Sequence, residues 1–259
     1  MIHHKPETAS TNLDARAGRH GDVFTADFQT AGRGRLDHKW LSAPGENLML
    51  SAVLDVGDCP PDRVAALPLV VGLAVIEGVS PLLPKGLSLR LKWPNDVLVD
   101  GRKLAGILCE RHGDTVIVGL GVNVKQREFA PEIAEKATSL SLLLGPVPAG
   151  KGPAPAGKGT VPASKGSVPA LTQVRDAILM ALGRLYATWR EEGLSPFLGR
   201  LAELDFLRGR TISVRQTDDD TKPFQGVCEG IAADGSLLVG GQAIYAGEAH
   251  VLLNSQWYG

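Results

Sequence analysis

The 259-residue chain has only three cysteines, at positions 59, 109 and 228. They are odd in number and too widely spaced for a disulfide framework or a paired zinc site. That scarcity fits a reducing compartment, and the expected location is cytoplasmic. The six histidines are scattered, and no HExxH spacing sets two on one helical face, so no certain protein-built metal site is expected. An excess of one charge is also missing, since the formal net charge is -1. Bulk electrostatic binding of DNA or an anionic membrane is thereby disfavoured, and any functional positive charge must be clustered. Aromatic residues make up 5% and do not interleave with basic ones as a single-strand RNA binder requires. Met1 to Pro6 lacks an apolar secretory core, and the most apolar stretch, Val64 to Ile76, reads as a buried helix too short to span a bilayer.

What is present is ordinary for a globular enzyme: 44% hydrophobic and 21% charged residues, in a chain long enough to close a real core. Strands are predicted at Val23 to Phe28 and Leu48 to Leu54. Leu87, Leu89 and Leu91 alternate, which puts Ser88, Arg90 and Lys92 on the opposite face, where two positive charges face a site. Asp100-Gly101 is a two-residue hairpin signal joining Val97–Val99 to Lys103–Glu110, and Thr115 to Leu120 follows as another strand. Val64, Leu67, Val71, Ala74 and Val75 form a helical stripe, with Asp62 as candidate cap and Pro68 as a kink or late start. A second helix carries Ile178, Leu182, Leu185 and Trp189, with Thr172 as cap and Gly193 as stop, and Ser195-Pro196 opens a short one. Short strands at Thr211–Arg215, Gln225–Ile231, Leu237–Val239 and His250–Leu253 suit a small barrel. The predicted fold is α+β, with a main domain over residues 1–205 and a small barrel over 206–259.

Pro148 to Ala170 repeats every seven residues on Pro-Ala-Gly/Ser-Lys-Gly. With no apolar seam and so much Gly and Pro it cannot bury enough surface to fold, so about residues 146–170 are expected to be a disordered insertion. Within it, Gly152 to Gly159 mimics a phosphate loop, but Gly159 replaces the hydroxyl residue, no strand precedes it and Pro162 blocks a following helix. Asp218-Asp219-Asp220 reads as a solvated turn rather than a cation site.

Gln29-Thr30-Ala31-Gly32-Arg33-Gly34-Arg35 is the most informative segment. Its glycines allow close backbone approach to an anion, and its arginines offer fork donors for phosphate or carboxylate. Alone, such a loop equally describes a surface turn or an RNA-contacting loop. Lys92-Trp93-Pro94-Asn95-Asp96 and Lys103-Leu104-Ala105-Gly106-Ile107-Leu108 flank the Asp100-Gly101 turn. Each alone is a strand end with a solvated lysine. Ser10-Thr11-Asn12 has a bland reading as a capping box of Thr11 with Asp14. Gly119-Leu120-Gly121-Val122-Asn123-Val124 lacks the third glycine of a dinucleotide fingerprint.

Taken together and in this order, these blocks, with Lys39-Trp40, resemble the biotin–protein ligases, in a short form lacking an N-terminal DNA-binding domain. The resemblance is strong from Thr8 to Val124 and elsewhere one of layout. It implies a class II synthetase-like mixed sheet flanked by helices, followed by an SH3-like barrel. It implies ATP-dependent formation of biotinyl-5'-AMP and transfer of biotin to a lysine of an apo biotin carboxyl carrier protein. ATP with Mg2+ would be the co-substrate. DNA and membrane would not be partners, while two chains could pair as a homodimer. On the same basis Ser10, Thr11, Asn12, Gln29, Arg33, Gly34, Arg35, Lys103 and Gly106 would contact biotin or its adenylate. Lys92, Asn95, Asn123 and Trp40 would lie on the nucleotide side, and Lys103, Arg33, Arg35 and Asp96 would carry the chemistry. Two departures stand out. Leu36-Asp37-His38 follows Arg35 where relatives continue with glycine and basic residues, which sets a negative charge beside a phosphate-holding loop. No tryptophan lies in Phe129 to Leu144 to stack on adenine, so an aliphatic residue would cover that ring. The competing readings are a lipoate–protein ligase and a non-catalytic nucleotide- or RNA-binding protein.

Deleting Pro148 to Pro169 is expected to leave adenylation within about tenfold of the intact chain, roughly 1.4 kcal/mol, because lysines in such a repeat have no fixed geometry. A larger fall in the rate of pyrophosphate release would show that the repeat takes part.

Overall fold

The apolar segments between Val23 and Asn123, with a polar strand at Ile2–Thr8, pair into one seven-stranded sheet in the computed structural model, which describes residues 1–36, 38–145, 167–215 and 223–252. Its strands are β1 (Ile2–Thr8), β2 (Val23–Gln29), β3 (Asn47–Asp55), β4 (Leu89–Lys92), β5 (Asp96–Val99), β6 (Arg102–His112) and β7 (Thr115–Asn123). They run in the order β1-β2-β3-β7-β6-β5-β4. β1 is parallel to β2 and the remaining pairs are antiparallel, so the sheet is mixed as expected. β1 itself has no predictive pattern: it is polar, mostly exposed and contains Pro6, which an edge strand tolerates.

Strand alternation gives this sheet two unlike faces. Leu48, Leu50, Ala52, Leu54, Ala105, Ile107, Val116, Val118, Leu120 and Val122 point into the core. There they meet two long helices, α3 (Leu67–Val79) and α5 (Leu171–Glu192), which pack on each other. The shorter α1 (Thr11–Ala15) packs against β2, β3 and β7. α2 (Pro61–Ala65) precedes α3, while α4 (Leu140–Leu144) and α6 (Leu198–Leu204) precede and follow α5. Glu77 of α3 receives both Arg184 of α5 and Arg200 of α6, tying three helices at one carboxylate.

Helix ends differ from the sequence expectation at two N-caps, while Pro68 behaves as expected. Pro60, not Asp62, is the N-cap of α2, and Pro68 marks the late start of α3. The N-cap of α5 is Ala170, not Thr172; its N–H donates to Gln173 Oε1 at 2.9 Å. Gly193, with φ 71°, ends that helix as predicted. The apolar stretch is also longer than Val64 to Ile76. Helical segments run over Pro61–Leu82 with mean hydropathy 1.9, enough by length and composition to cross a membrane, so length excludes nothing. Its most apolar window is 72% buried inside the protein, which makes it core.

The β5–β6 hairpin turns at Asp100-Gly101 with φ of 48° and 77°, the paired positive values of a type I′ turn. Just beyond it the register shifts: Val97 pairs with Ala105 but Leu98 with Lys103, leaving Leu104 as an extra residue in β6. This bulge reverses the alternation. Leu104 and Ala105 both enter the core, and Lys103 comes out on the face of Gly106.

The second sheet is five-stranded and antiparallel: β8 (Thr211–Arg215), β9 (Phe224–Ile231), β10 (Leu237–Val239), β11 (Gln242–Ile244) and β12 (Glu248–Val251), in the order β11-β10-β9-β8-β12. β11 had no sequence signal, and the last strand begins two residues before His250. Among the described residues no pairing joins β11 to β12. The sheet is anchored through β4. Trp93 is buried and its Nε1 donates to the Gly235 carbonyl at 3.0 Å, while Phe206 N–H donates to the Leu91 carbonyl at 2.8 Å. Ile212, Val214, Leu237 and Val239 share one buried cluster with α3 and α5. Asp37, most of the seven-residue repeat with its phosphate-loop mimic, the Asp218–Asp220 run and Leu253 lie outside the described residues. Val168, near the end of the repeat, packs half-buried against the core, so a deletion that spares the fold stops before it.

Trp93→Phe keeps a buried aromatic but leaves the Gly235 carbonyl without its donor. It is expected to cost about 1–3 kcal/mol by urea unfolding and to speed proteolysis at the exposed Arg208 to Arg210. Unchanged unfolding and proteolysis would show that this contact does not hold the second sheet.

Candidate functional site

The sheet face opposite the helices is bare where it matters. Gly106 of β6 pairs with Gly121 of β7, and Gly119 lies two residues before Gly121 on the same face. A Cβ at Gly121 would stand 2.4 Å from the Trp40 ring, and one at Gly119 would stand 2.2 Å from Asn12 Oδ1. These glycines form a floor that receives Trp40 and Asn12. The loop carrying Trp40 is a tight hairpin: Arg33 bridges to Lys39, the Trp40 N–H donates to the Gly32 carbonyl at 3.0 Å, and Leu36 takes φ 48°. Gln29 to Gly34 and His38 to Leu41 line a cavity of about 260 Å³.

Cations converge beside this floor. The bulge brings Lys103 Nζ to 2.7 Å from Asp96 Oδ1, an ion pair whose angles are not those of a hydrogen bond. The same Nζ lies 5.9 Å from the centre of the Trp40 ring. Lys92 is placed near the same carboxylate. Burial lowers its pKa below the ordinary lysine value; Asp96 opposes that shift and Lys103 adds to it. Arg35 is likewise lowered by burial, against the fields of Glu248 and Asp96, and its Nη1 donates to the Gly247 carbonyl at 3.3 Å. Burial, followed by Lys92, lowers His250 as well. His38 stands 3.4 Å from Glu248. The loop before β12 thus closes one side of the site.

A buried polar chain closes the other side. Ser10 is the N-cap residue of α1 but makes no side-chain capping bond, so the capping-box reading of Thr11 with Asp14 does not hold. Instead the Thr11 N–H and hydroxyl approach Gln29 Oε1 at 2.8 and 3.0 Å, and Ser51 Oγ lies 2.7 Å from Thr11 Oγ1 and 2.5 Å from Asn12 Oδ1. Asn12 Nδ2 donates to Glu110 Oε2 at 2.7 Å, and Arg33 Nη1 donates to Glu110 Oε1 at 3.1 Å.

Most of the predicted residues therefore meet in one place: Ser10, Thr11, Asn12, Gln29, Arg33 and Gly34 along the loop and α1, and Lys92, Asp96, Lys103, Gly106 and Trp40 over β4 to β6. Three are placed differently. Asn95 Nδ2 donates to the Ile107 carbonyl at 2.8 Å, and Asn123 Nδ2 to the Thr138 carbonyl at 3.0 Å, so both amide nitrogens hold backbone. Arg90 turns away, its Nη1 3.4 Å from the Glu203 carbonyl, so only Lys92 of that pair faces the site. Ser51, Glu110 and Glu248 were not foreseen. Ser51 had a signal, as a lone hydroxyl inside the apolar run Leu48 to Leu54. Glu110 had one too, since it follows Gly106 and Leu108 at strand period on the same face. Glu248 had none, because its neighbours at the site come from a distant part of the chain.

The chain is similar to several known proteins. A family model described as the biotin/lipoate A/B protein ligase family matches residues 5–124. The chain is 44% identical over 142 residues to a biotin--[acetyl-CoA-carboxylase] ligase of Mycobacterium tuberculosis, covering 52% of each protein. It is 38% identical over 132 residues to the bifunctional ligase/repressor BirA of Bacillus subtilis, covering 48% of this chain and 40% of that one. The chain thus spans about half or less of these relatives' own length. Biotin protein ligase from Aquifex aeolicus, solved with biotin and ATP, superposes with a TM-score of 0.76 at 27% identity, over 97% of this chain and 98% of that one.

Because burial disfavours the charged form of Lys92, its ammonium weakens the unliganded fold at neutral pH. Stability on this account rises as pH climbs through the lowered lysine pKa. Lys92→Met is expected to raise the Tm by about 1–3 °C at pH 7 in differential scanning calorimetry. A lower Tm would show that Asp96 stabilises the lysine by more than burial costs it.

Proposed function

From the match of residues 5–124 to the biotin/lipoate A/B protein ligase family, we propose that the chain activates biotin with ATP to biotinyl-5'-AMP. It then transfers the biotin to a lysine of a biotin carboxyl carrier protein. The observation that carries this reading is the convergence of Lys92, Lys103, Arg33 and Arg35 around a side-chain-free floor, in a protein whose net charge is -1. Joining a carboxylate to a triphosphate forces two anions together. A partly desolvated cation cluster offsets that repulsion far better than the same charges in water.

In the first step the biotin carboxylate oxygen attacks the α-phosphorus of ATP, the bond to the bridging oxygen breaks, and pyrophosphate leaves. We assign Lys103 to the point where carboxylate and phosphate meet, with Arg33 and Arg35 closing over the adenylate. Ser10, Thr11, Asn12 and Gln29 hold the ring end of biotin, with Gly106 beneath. Lys92 faces the nucleotide, together with whatever Asn95 and Asn123 offer beyond their backbone bonds. Trp40 covers the floor next to Lys103, between the two ligand halves. Mg2+ arrives with ATP; among the described residues no cluster of three or more His, Cys, Asp or Glu is set to hold a metal. In the second step a neutral carrier lysine attacks the mixed anhydride and AMP departs. Asp96, which faces the cations and is ion-paired through Oδ1 with Lys103, is assigned to orient that amine.

The five short antiparallel strands after Phe206 support reading the second sheet as an SH3-like barrel, with the catalytic domain over 1–205 and the barrel over 206–259. The Arg35–Gly247 contact supports a role for that domain in holding the loop. A cytoplasmic site of action without DNA or membrane partners fits the near-neutral charge.

Pyrophosphate release from ATP with biotin, but not with lipoate, is the direct test, followed by labelling of an apo carrier domain. Lys103→Ala is expected to lower pyrophosphate release at saturating ATP and biotin by about 100-fold or more, while ATP affinity changes by less than about tenfold. Turnover at the wild-type rate would remove Lys103 from the reacting centre.

A further inference from the structure

Two asparagines bracket the stretch of β6 that carries the bulge. At its far end Asn95 meets Ile107 twice: Asn95 Nδ2 donates to the Ile107 carbonyl at 2.8 Å, and the Ile107 N–H donates to the Asn95 carbonyl at 3.0 Å. At its near end the backbone of Lys103 is gripped by the segment Lys136 to Thr138. The Lys103 N–H donates to the Lys136 carbonyl at 2.7 Å, and the Thr138 N–H donates to the Lys103 carbonyl at 2.9 Å. Asn123, the last residue of β7, closes that junction. Its Nδ2 donates to the Thr138 carbonyl at 3.0 Å and reaches the Lys103 carbonyl at 3.4 Å. Carbonyls only accept, so the amide nitrogen must face both. Asn123 and Thr138 are buried, so removing the amide costs a buried hydrogen bond.

The bulge needs such a grip. Leu104 is the extra residue between the Val97–Ala105 and Leu98–Lys103 pairs, and a bulge interrupts the ladder that otherwise holds register. Without it, alternation would turn Lys103 to the core face of Ala105 and Ile107, away from Asp96 Oδ1, which lies 2.7 Å from its Nζ. The segment after β7 has anchors of its own. The Val124 N–H donates to Asn47 Oδ1 at 3.1 Å, the Ser141 N–H donates to the Val124 carbonyl at 2.8 Å, and Ser139 Oγ donates to the Gln126 carbonyl at 2.5 Å. The course of this segment therefore does not hang on Asn123, and what the Asn123 amide adds falls on Lys103.

We infer that Asn123 is a positioning residue for Lys103: by joining the Lys103 and Thr138 carbonyls it fixes the bulge that presents the ammonium group to the reacting centre. The inference rests on the role given to Lys103 in the biotin reading above and deepens it. A cation that offsets charge gathering between two anions works only when held in place, so loosening its backbone costs rate more than substrate affinity. A direct contact between Asn123 and the nucleotide would show the reverse, in the KM for ATP.

Asn123→Ala is expected to lower kcat for pyrophosphate release about tenfold or more, with the KM values for ATP and biotin within about threefold of wild type. Asn123→Ser keeps a single shorter donor and is expected to fall between wild type and the alanine variant. In a Lys103→Ala background the same Asn123→Ala change is expected to alter the residual rate by less than about twofold, because no ammonium is left to place. A general loosening of the site would instead slow both backgrounds alike. A kcat within about twofold of wild type, a loss carried by the KM for ATP, or an undiminished penalty in the Lys103→Ala background would each overturn the role of Asn123. So would loss of the calorimetric unfolding transition in both Asn123 variants, since the amide would then hold the sheet as a whole. Wild-type protein that releases no pyrophosphate with biotin, or Lys103→Ala turning over at the wild-type rate, would overturn the functional reading itself, and this inference with it.

Discussion

A sheet face stripped of side chains is the constraint on which the rest of the site depends. Gly106, Gly119 and Gly121 leave just enough depth for the Trp40 ring and the Asn12 amide to lie on the backbone, and a methyl group at 119 or 121 would collide with one or the other. Such a face contributes little burial of its own. The opposite face therefore carries the core, and does so without interruption from Leu48 through Val122 against α3 and α5. The division of labour follows from the pleat, since neighbouring residues on one strand must serve opposite faces.

The same geometry explains how a nearly neutral protein assembles a strongly basic site. Lys92, Lys103 and the Arg33–Arg35 pair come from three different stretches of chain, and each cation is close to an acid: Asp96 for the two lysines, Glu110 for Arg33, Glu248 for Arg35. The acids limit repulsion among the cations until an anionic ligand arrives. Burial still holds the Lys92 and Arg35 pKa values below their ordinary positions, so part of the desolvation cost is carried by the unliganded fold.

The second sheet takes part in this arrangement through two short contacts rather than a broad polar interface. Trp93 reaches the Gly235 carbonyl from the strand that delivers Lys92, and Arg35 reaches the Gly247 carbonyl from the Gly-Arg hairpin. Strand β4 is thereby fixed at its end, and the loop is tied to an element more than two hundred residues away in sequence. The continuous buried cluster that spans both sheets makes those contacts geometrically firm.

The sequence by itself determined the composition of the site and much of its frame. The ordered blocks from Ser10 to Asn123 carried the family resemblance, the Asp100-Gly101 pair specified its hairpin, and strand and helix periodicities located the core, because these signals are local and repeat at fixed spacing. Strand β1 stayed hidden, since a polar edge strand with a proline carries no alternation, and β11 is too short to show one. Only the tertiary structure decided which way several key side chains face. Alternation alone would send Lys103 into the core with Ala105 and Ile107; the extra residue at Leu104 turns it to the glycine floor beside Asp96. Asn95 and Asn123 spend their amide nitrogens on neighbouring carbonyls, and Glu110 meets Asn12 across nearly a hundred residues. Bulges and buried hydrogen bonds depend on which distant strand lies alongside, and that is settled by packing rather than by any local run of residues.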